Sequence, residues 1–338
     1  MKTKYIAILA SLASLAASGF GMAQTAYTTP VGYSTQSLLQ GFNAAGLTLQ
    51  SPTAAAGKFE VVGATSLTDN DIVFAPVASR LYVLEISSGS LAGSIFEIPS
   101  ANISGGTITI PATVPATNLI TLGLTTADTY RLRLVPTLET IFTTTTLTSG
   151  GVLNAGLNAT GADVVWIPTA AGGYTRYFLH SSSAAFRLAG TTTPTPNVPV
   201  VYADGILIEK KGSAAAALTV SGEVKLKGTN SLISQGFNLV GSVAPVGLNL
   251  SNAGIDDDIT AGLNATGADL VWVQQPNLTY IKYFRRSANG AWRTSTAAVD
   301  LTAPQVEAVT LSNGFFIEKK SAGTSTLDLN VPASFNNL

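Results

Sequence analysis

The side chains in this sequence with the most chemical potential are aromatic and cationic, and they alternate. Tyr174, Arg176, Phe178 and His180 stand at every second position, as do Tyr280, Lys282, Phe284 and Arg286. Residues two apart on a β-strand share a face, so each run sets rings beside positive charges. Rings presented this way stack on the C–H faces of sugars. The candidate glycan contacts are therefore Trp166, Tyr174, Tyr177, Trp272, Tyr280, Tyr283 and Trp292. The competing expectation is that the rings fill a core while Arg and Lys cover cross-strand neighbours. Solvent exposure of the three tryptophans separates the two.

Other reactive groups are sparse. Asp256, Asp257 and Asp258, with Asn264 and Asp269 further on, offer oxygens to calcium. Their spacing matches no known calcium loop, so a solvated turn is expected and no metal site is assigned. Glycoside hydrolysis needs two acids in one cleft. Glu60, Glu85, Glu97, Glu139 and Glu307 are scattered, each among apolar residues or by a turn, and are expected on polar outer faces. Cysteine is absent, which excludes thiolate chemistry and disulfides. His180 is the single histidine, so mechanisms needing two imidazoles from one chain are excluded. No Gly-x-Ser-x-Gly elbow precedes a helix. No catalytic residue and no cofactor is expected.

The elements that carry the aromatic runs come twice. Ala155 to Asp163 reads A-G-L-N-A-T-G-A-D, and Ala261 to Asp269 repeats it letter for letter. Each copy runs into Val-Trp, so that Trp166 recurs 106 residues on as Trp272. Ile208-Glu209-Lys210-Lys211 recurs as Ile317-Glu318-Lys319-Lys320. Ser37-Leu38-Leu39-Gln40-Gly41-Phe42-Asn43 has a cousin in Ser231 to Asn238. The nine-residue repeat reads as a scaffold corner: Asn and Asp bond their own backbone, and Gly161 and Gly267 permit positive φ. Where the copies differ, His180 against Arg286 and Phe186 against Trp292, any binding specificity is expected.

Charged residues make up only 11% of the 338 residues and the formal net charge is −1, so no basic field for nucleic acid exists. Short apolar runs mixed with Thr, Ser and Gly recur every 8 to 12 residues between turn residues. This spacing predicts an all-β fold of antiparallel sandwich or small-barrel modules. A single helical turn is expected over Leu138 to Phe142. Strands are expected at Asp71 to Pro76 and at Tyr130 to Val135, and a hairpin with a wet, charged tip at Gly205 to Val220 and again at Gly314 to Leu329. Lys2, Lys4, an apolar run from Ile6 and Gly21-x-Ala23 predict a signal peptide over 1–23, cleaved before Gln24. Its removal leaves 16 basic residues against 19 acidic. No stretch of spanning length follows. Residues 24–135 are expected as an N-terminal β domain, 136–228 as the first repeat module and 229–338 as the second.

Four stretches together resemble a known group of proteins. They are Thr29-Pro-Val-Gly32, Tyr82 to Ile98, Tyr130 to Phe142, and the late Asp-x-Val-Trp with Gly-x-x-Ile-Glu-Lys-Lys. They resemble an uncharacterised family of exported β-rich proteins associated with planctomycete and verrucomicrobial bacteria. The resemblance spans nearly the whole mature chain and implies export and β-structure; it carries no functional residues across. Gly89 to Phe96 departs from it in lacking charged residues. The expectation is a non-enzymatic structural protein of the periplasm, outer cell surface or extracellular matrix. It would act by self-association or through other surface proteins. The alternative is a carbohydrate-binding module using aromatic-lined strands.

Overall fold

In a computed structural model of the chain, residues 29–111, 118–142, 151–169 and 172–337 are described. The expected signal peptide and its cleavage point lie outside them, as does the Thr run after Phe142. Alternation of aliphatic and hydroxylated residues gives strands buried on one side. They begin with β1 (Val31–Leu38), β2 (Gly41–Ala45), β3 (Thr53–Lys58), β4 (Val61–Val62), β5 (Ser66–Thr68), β6 (Leu81–Ile86) and β7 (Ile95–Pro99). Next come β8 (Ile103–Ser104), β9 (Thr107–Thr109), β10 (Thr129–Leu134), β11 (Val164–Thr169), β12 (Gly173–His180) and β13 (Ala185–Leu188). The remainder are β14 (Ile206–Lys210), β15 (Ala216–Glu223), β16 (Thr229–Val240), β17 (Leu270–Gln274), β18 (Tyr280–Arg285), β19 (Trp292–Thr294) and β20 (Phe315–Leu329). The fold is all-β, and the described strand ladders are antiparallel. Among the described residues, helix is confined to short pieces such as Leu138–Ile141, where one turn was expected, and Ala303–Glu307.

The two repeats build the same sheet. The first runs β13-β12-β11-β14-β2 and the second β19-β18-β17-β20-β16. Each sheet continues into a two-stranded ribbon. In the first copy this is β1 against β15; in the second it is the far halves of β16 and β20. The pairing crosses the boundary drawn at residue 135. Strands β1 and β2, placed by sequence in the N-terminal domain, complete the first repeat, because β2 pairs with β14 from Gly41↔Lys210 to Ala45↔Ile206. What lies between Gln50 and Pro136 is inserted into that repeat. It forms two sheets, β3-β10-β6-β7 and β4-β5-β9-β8, around Phe59, Tyr82, Leu84, Ile98, Tyr130 and Leu132.

The Gly-Phe-Asn motif explains how a sheet becomes a ribbon. Gly41 and Gly236 sit at φ 113° and 101°, a region open to glycine. The following Asn stitches the irregularity. Asn43 Nδ2 donates to the carbonyls of Leu39, Gly41 and Ile208 at 2.7, 3.0 and 3.2 Å. Asn238 Nδ2 does the same to Ser234, Gly236 and Ile317 at 2.7, 3.1 and 3.2 Å. The hairpins expected after Gly205 and Gly314 are therefore not formed. The chain runs straight on, as one 15-residue strand in β20 and as β14 then β15 in the first copy, because each half already has a partner in β16 or in β2 and β1. Lys210 and Lys319 are buried, whereas the residues that follow them, Lys211 and Ser213 in one copy and Lys320 to Thr324 in the other, face water as expected of the tips.

The nine-residue repeat is a corner tied by its last residue. Asp163 is fully buried; it accepts the Asn154 and Lys211 amides, both at 2.7 Å, and Lys210 Nζ at 2.6 Å. Asp269 accepts the Thr260 and Lys320 amides at 2.8 and 2.6 Å, whereas Lys319 turns to Ser321. Asn158 and Asn264 cap the turn as expected, each accepting two backbone amides. Gly161 and Gly267 are not among the positive-φ glycines. The glycine the corner needs is the earlier one: a β-carbon on Gly156 or Gly262 would meet the Ala162 or Ala268 amide at 2.9 or 2.8 Å.

The repeats meet reciprocally. A β-carbon on Gly205 would press on Leu239 at 2.7 Å, and one on Gly314 on the Ala45 carbonyl at 2.8 Å. Ala45 and Val240 close the equivalent strands β2 and β16. Gly46 and Gly241 leave room for the crossing chain in the same way.

Two sequence expectations fail in the inserted domain. Asp71 to Pro76 is a loop, since Asp69 Oδ1 accepts the Asp71 amide at 2.9 Å and turns the chain outward; Val73 is fully exposed. Glu85 is not on an outer face, and Arg133 is buried with it. The reason is that β6 is covered on both sides: Tyr82 and Leu84 face the inserted domain's own core while Val83 joins the core of the first repeat. Glu85 is paired with Lys225, in the joint before β16, and Arg133 with Glu223, at the end of β15. Arg133 Nη1 also donates to the Ser51 carbonyl at 2.6 Å, and Glu223 accepts the Thr53 amide at 3.1 Å. Two anions and two cations thus neutralise one another away from water. Breaking a buried pair leaves an uncompensated charge, which costs about 3–5 kcal/mol. Lys225→Met is expected to lose about that much in urea unfolding, and Lys225→Met with Glu85→Leu to recover most of it. A Lys225→Met protein as stable as the parent would contradict this.

Candidate binding face

On β11 and β17 the parity of the strand decides everything. Val165 and Val271 point inward and are fully buried, so Trp166 and Trp272 point outward and are half-buried. Cross-strand partners share that face: Arg176 and Leu207 beside Trp166, Lys282 and Phe316 beside Trp272. Each indole Nε1–H donates to the glutamate of the Ile-Glu-Lys-Lys strand, to Glu209 at 3.2 Å and to Glu318 at 3.0 Å. Lys211 and Lys320 close on those glutamates.

The ring contacts are likewise duplicated. Phe42 meets Trp166 edge-on at 5.6 Å and Phe237 meets Trp272 at 5.3 Å. Tyr174 and Tyr280 lie 6.3 Å from their tryptophans. The Arg176 guanidinium sits 5.2 Å from the Trp166 ring, and the Lys282 ammonium 3.8 Å from the Trp272 ring. Edge-to-face pairs contribute about 0.5–1.5 kcal/mol beyond area, and an exposed cation over a ring about 0.5–1 kcal/mol. The second copy adds Phe316, 5.7 Å from Tyr280. Phe42 and Phe237 remain 44% and 55% exposed, so each cluster keeps an open ring at its edge.

The two clusters come together at Gln274. Its amide accepts the Ala44 N–H at 2.8 Å and donates to the Phe42 carbonyl at 2.8 Å and to the Tyr280 hydroxyl at 3.0 Å. The Tyr280 phenol is pushed up to about 12, mainly by burial and then by the nearby Tyr174.

Of the seven candidate contacts, the structure brings Trp166, Tyr174, Trp272 and Tyr280 to this face. Tyr177 points the other way and packs against the first repeat's core, while Tyr283 and Trp292 are buried in the core of the second. Odd and even positions of one strand cannot share a face, which separates Tyr177 from Tyr174 and Tyr283 from Tyr280. Phe186 and Trp292 are equivalent core plugs and cannot set specificity from there. His180 is buried against the Ser182 and Ser183 hydroxyls, and Arg286 is held by Asp300. Sequence reasoning missed Phe42, Phe237, Glu209, Glu318, Lys211 and Lys320. Their signal was the copied Gly-Phe-Asn and Ile-Glu-Lys-Lys, in which the buried Ile208 and Ile317 put the next residue outward.

The acidic groups are occupied separately. Asp256 and Asp257 each stand 3.7 Å from Arg285, and Asp258 accepts the Asp328 amide at 2.6 Å. Glu60, Asp69 and Asp71 cluster in the inserted domain, but Asp69 accepts the Tyr130 hydroxyl at 2.7 Å and Glu60 the Asn70 amide at 2.7 Å.

No family model matches the chain, and neither a curated protein nor a solved structure matches it at a significant level.

Removing a ring from the open face should differ from removing one from the core. Trp292→Ala is expected to lose about 3–5 kcal/mol in chemical denaturation, and Trp272→Ala clearly less. Equal losses would place both rings in the core.

Proposed function

We propose that this is an exported, non-enzymatic β-protein of the cell surface or extracellular matrix that works by attachment. The observation that carries the reading is the use made of its charged groups. Buried Asp163, Glu85 and Glu223 each hold a cation or backbone amide that fixes the fold, and Asp256 to Asp258 are engaged one by one. The ribbons and outward sheet faces carry hydroxylated and aromatic residues. The ribbon β1–β15 exposes Val31 and Tyr33 next to a Thr35–Thr219 hydroxyl pair at 3.2 Å. The second ribbon exposes Leu232 beside Thr324 and Thr326. Ladder edges of this kind accept an added strand from another chain, which supports self-association or docking on other surface proteins. Membership of the exported β-rich family named above belongs to the same proposal.

A second reading, glycan binding, is favoured by one specific observation. Phe42, Trp166, Tyr174, Arg176, Glu209 and Lys211 have counterparts in Phe237, Trp272, Tyr280, Lys282, Glu318 and Lys320, and both sets stand on outward faces.

Sedimentation of the purified mature chain, together with cell fractionation, tests the attachment reading. Concentration-dependent assembly, or recovery with the envelope or matrix, is expected. A strictly monomeric protein found free in the medium would overturn it.

A further inference from the structure

We propose that the two aromatic faces together bind one anionic polysaccharide, a segment of the polymer on each repeat; this rests on the glycan-binding reading above. The first argument is charge. On each face the lysine of Ile-Glu-Lys-Lys neutralises its own glutamate, Lys211 on Glu209 and Lys320 on Glu318. Arg176 and Lys282 have no carboxylate within ion-pair distance among the described residues. Each face therefore keeps at least one surplus positive charge, on a chain whose formal net charge is −1. A neutral sugar takes only hydrogen bonds from that group, whereas a uronate or sulfate also takes its charge.

The second argument is apolar contact. A polysaccharide offers C–H faces along its length, and the faces offer the open rings of Phe42 and Phe237 next to Tyr174 and Tyr280. Trp166 and Trp272 are clamped between a phenylalanine edge, a glutamate and a cation. They hold Arg176 and Lys282 in place, so little side-chain freedom is lost when an acid group arrives.

The third argument is valency. Gln274 pins the Tyr280 cluster to the backbone of β2, the strand that carries Phe42. The two faces are therefore preset relative to each other. A polymer bound to one face meets the second at high effective concentration, and avidity of this kind gains about 10²–10⁴ over one site. A duplicated face is of no benefit to a small ligand but suits a chain of repeating units.

Affinity electrophoresis of the full chain through gels holding polygalacturonate, dextran sulfate or neutral dextran tests this. Retardation by one or both polyanions and none by dextran is expected. The polyanion that retards identifies carboxylate or sulfate as the group read. Arg176→Ala or Lys282→Ala alone should weaken binding by about 10²-fold or more through lost avidity, with the melting temperature nearly unchanged. Arg176→Lys and Lys282→Arg should retain it. Equal retardation by dextran overturns the anionic proposal and leaves the glycan reading standing. Retardation by no polymer ends both. Polyanion binding that survives the double alanine variant places it elsewhere and overturns the proposal, as does a self-associating chain whose assembly alone is lost in that variant.

Discussion

Four buried charges hold this molecule together. Glu85 and Arg133 come from the inserted domain, Glu223 from the end of the first ribbon and Lys225 from the joint to the second repeat. Taking ions out of water costs several kcal/mol each, and only close opposite charges with further hydrogen bonds return it. Here every ion faces an opposite charge, and Arg133, Glu223 and Lys225 have further hydrogen bonds, while the Arg133 Nε–H is left without a partner. The result adds little net stability over an apolar plug but has one arrangement that pairs all four charges, since a shifted domain would strand a charge. Burial pulls the Lys225 ammonium below its usual value, and Glu85 pulls back. Glu223 is held below the usual carboxylate range although burial pushes it up, because Arg133 and Thr53 outweigh burial.

That network sets what the surface can do. An insertion of more than eighty residues between β2 and β11 has not disturbed the first sheet, whose strand order matches the second. Insertions at a loop are tolerated when the ends stay close. Here Gln50 is bonded to Glu223 at the point of departure, and Val200 to Pro136 at the return. The two outward faces are therefore alike despite very different surroundings. Divergence lies in the supports: Lys210 neutralises Asp163, while Lys319 leaves Asp269 to backbone amides and reaches Ser321.

Period-two patterning made much of this legible. It gave the all-β class and the strand at Tyr130, but left open whether Trp166 and Tyr174 faced outward or into a core. The exact repeat identified the corner, and Gly-Phe-Asn pointed to a strand used twice. Three things were hidden, each for a physical reason. Local pattern does not tell a hairpin from a strand whose partner continues past a bulge, so β20 was read as two strands. Alternation shows which residues share a face but not whether a third element covers it, so Glu85 was read as a surface group. Pairing across 165 residues, as between Asn43 and Ile208, leaves no local mark, so β2 was assigned to the wrong side of the insertion. In the candidate site, Tyr177, Tyr283 and Trp292 were chosen by residue type where parity already argued for the core.

The central proposal is that an anionic polysaccharide binds the outward faces of both repeats. The chain has three tryptophans, and their indole N–H resonances report on it directly. In a ¹⁵N-labelled sample titrated with an oligogalacturonate, the signals of Trp166 and Trp272 are predicted to shift together while that of Trp292 stays. A shift confined to Trp292, or none while the oligomer binds, would contradict the account.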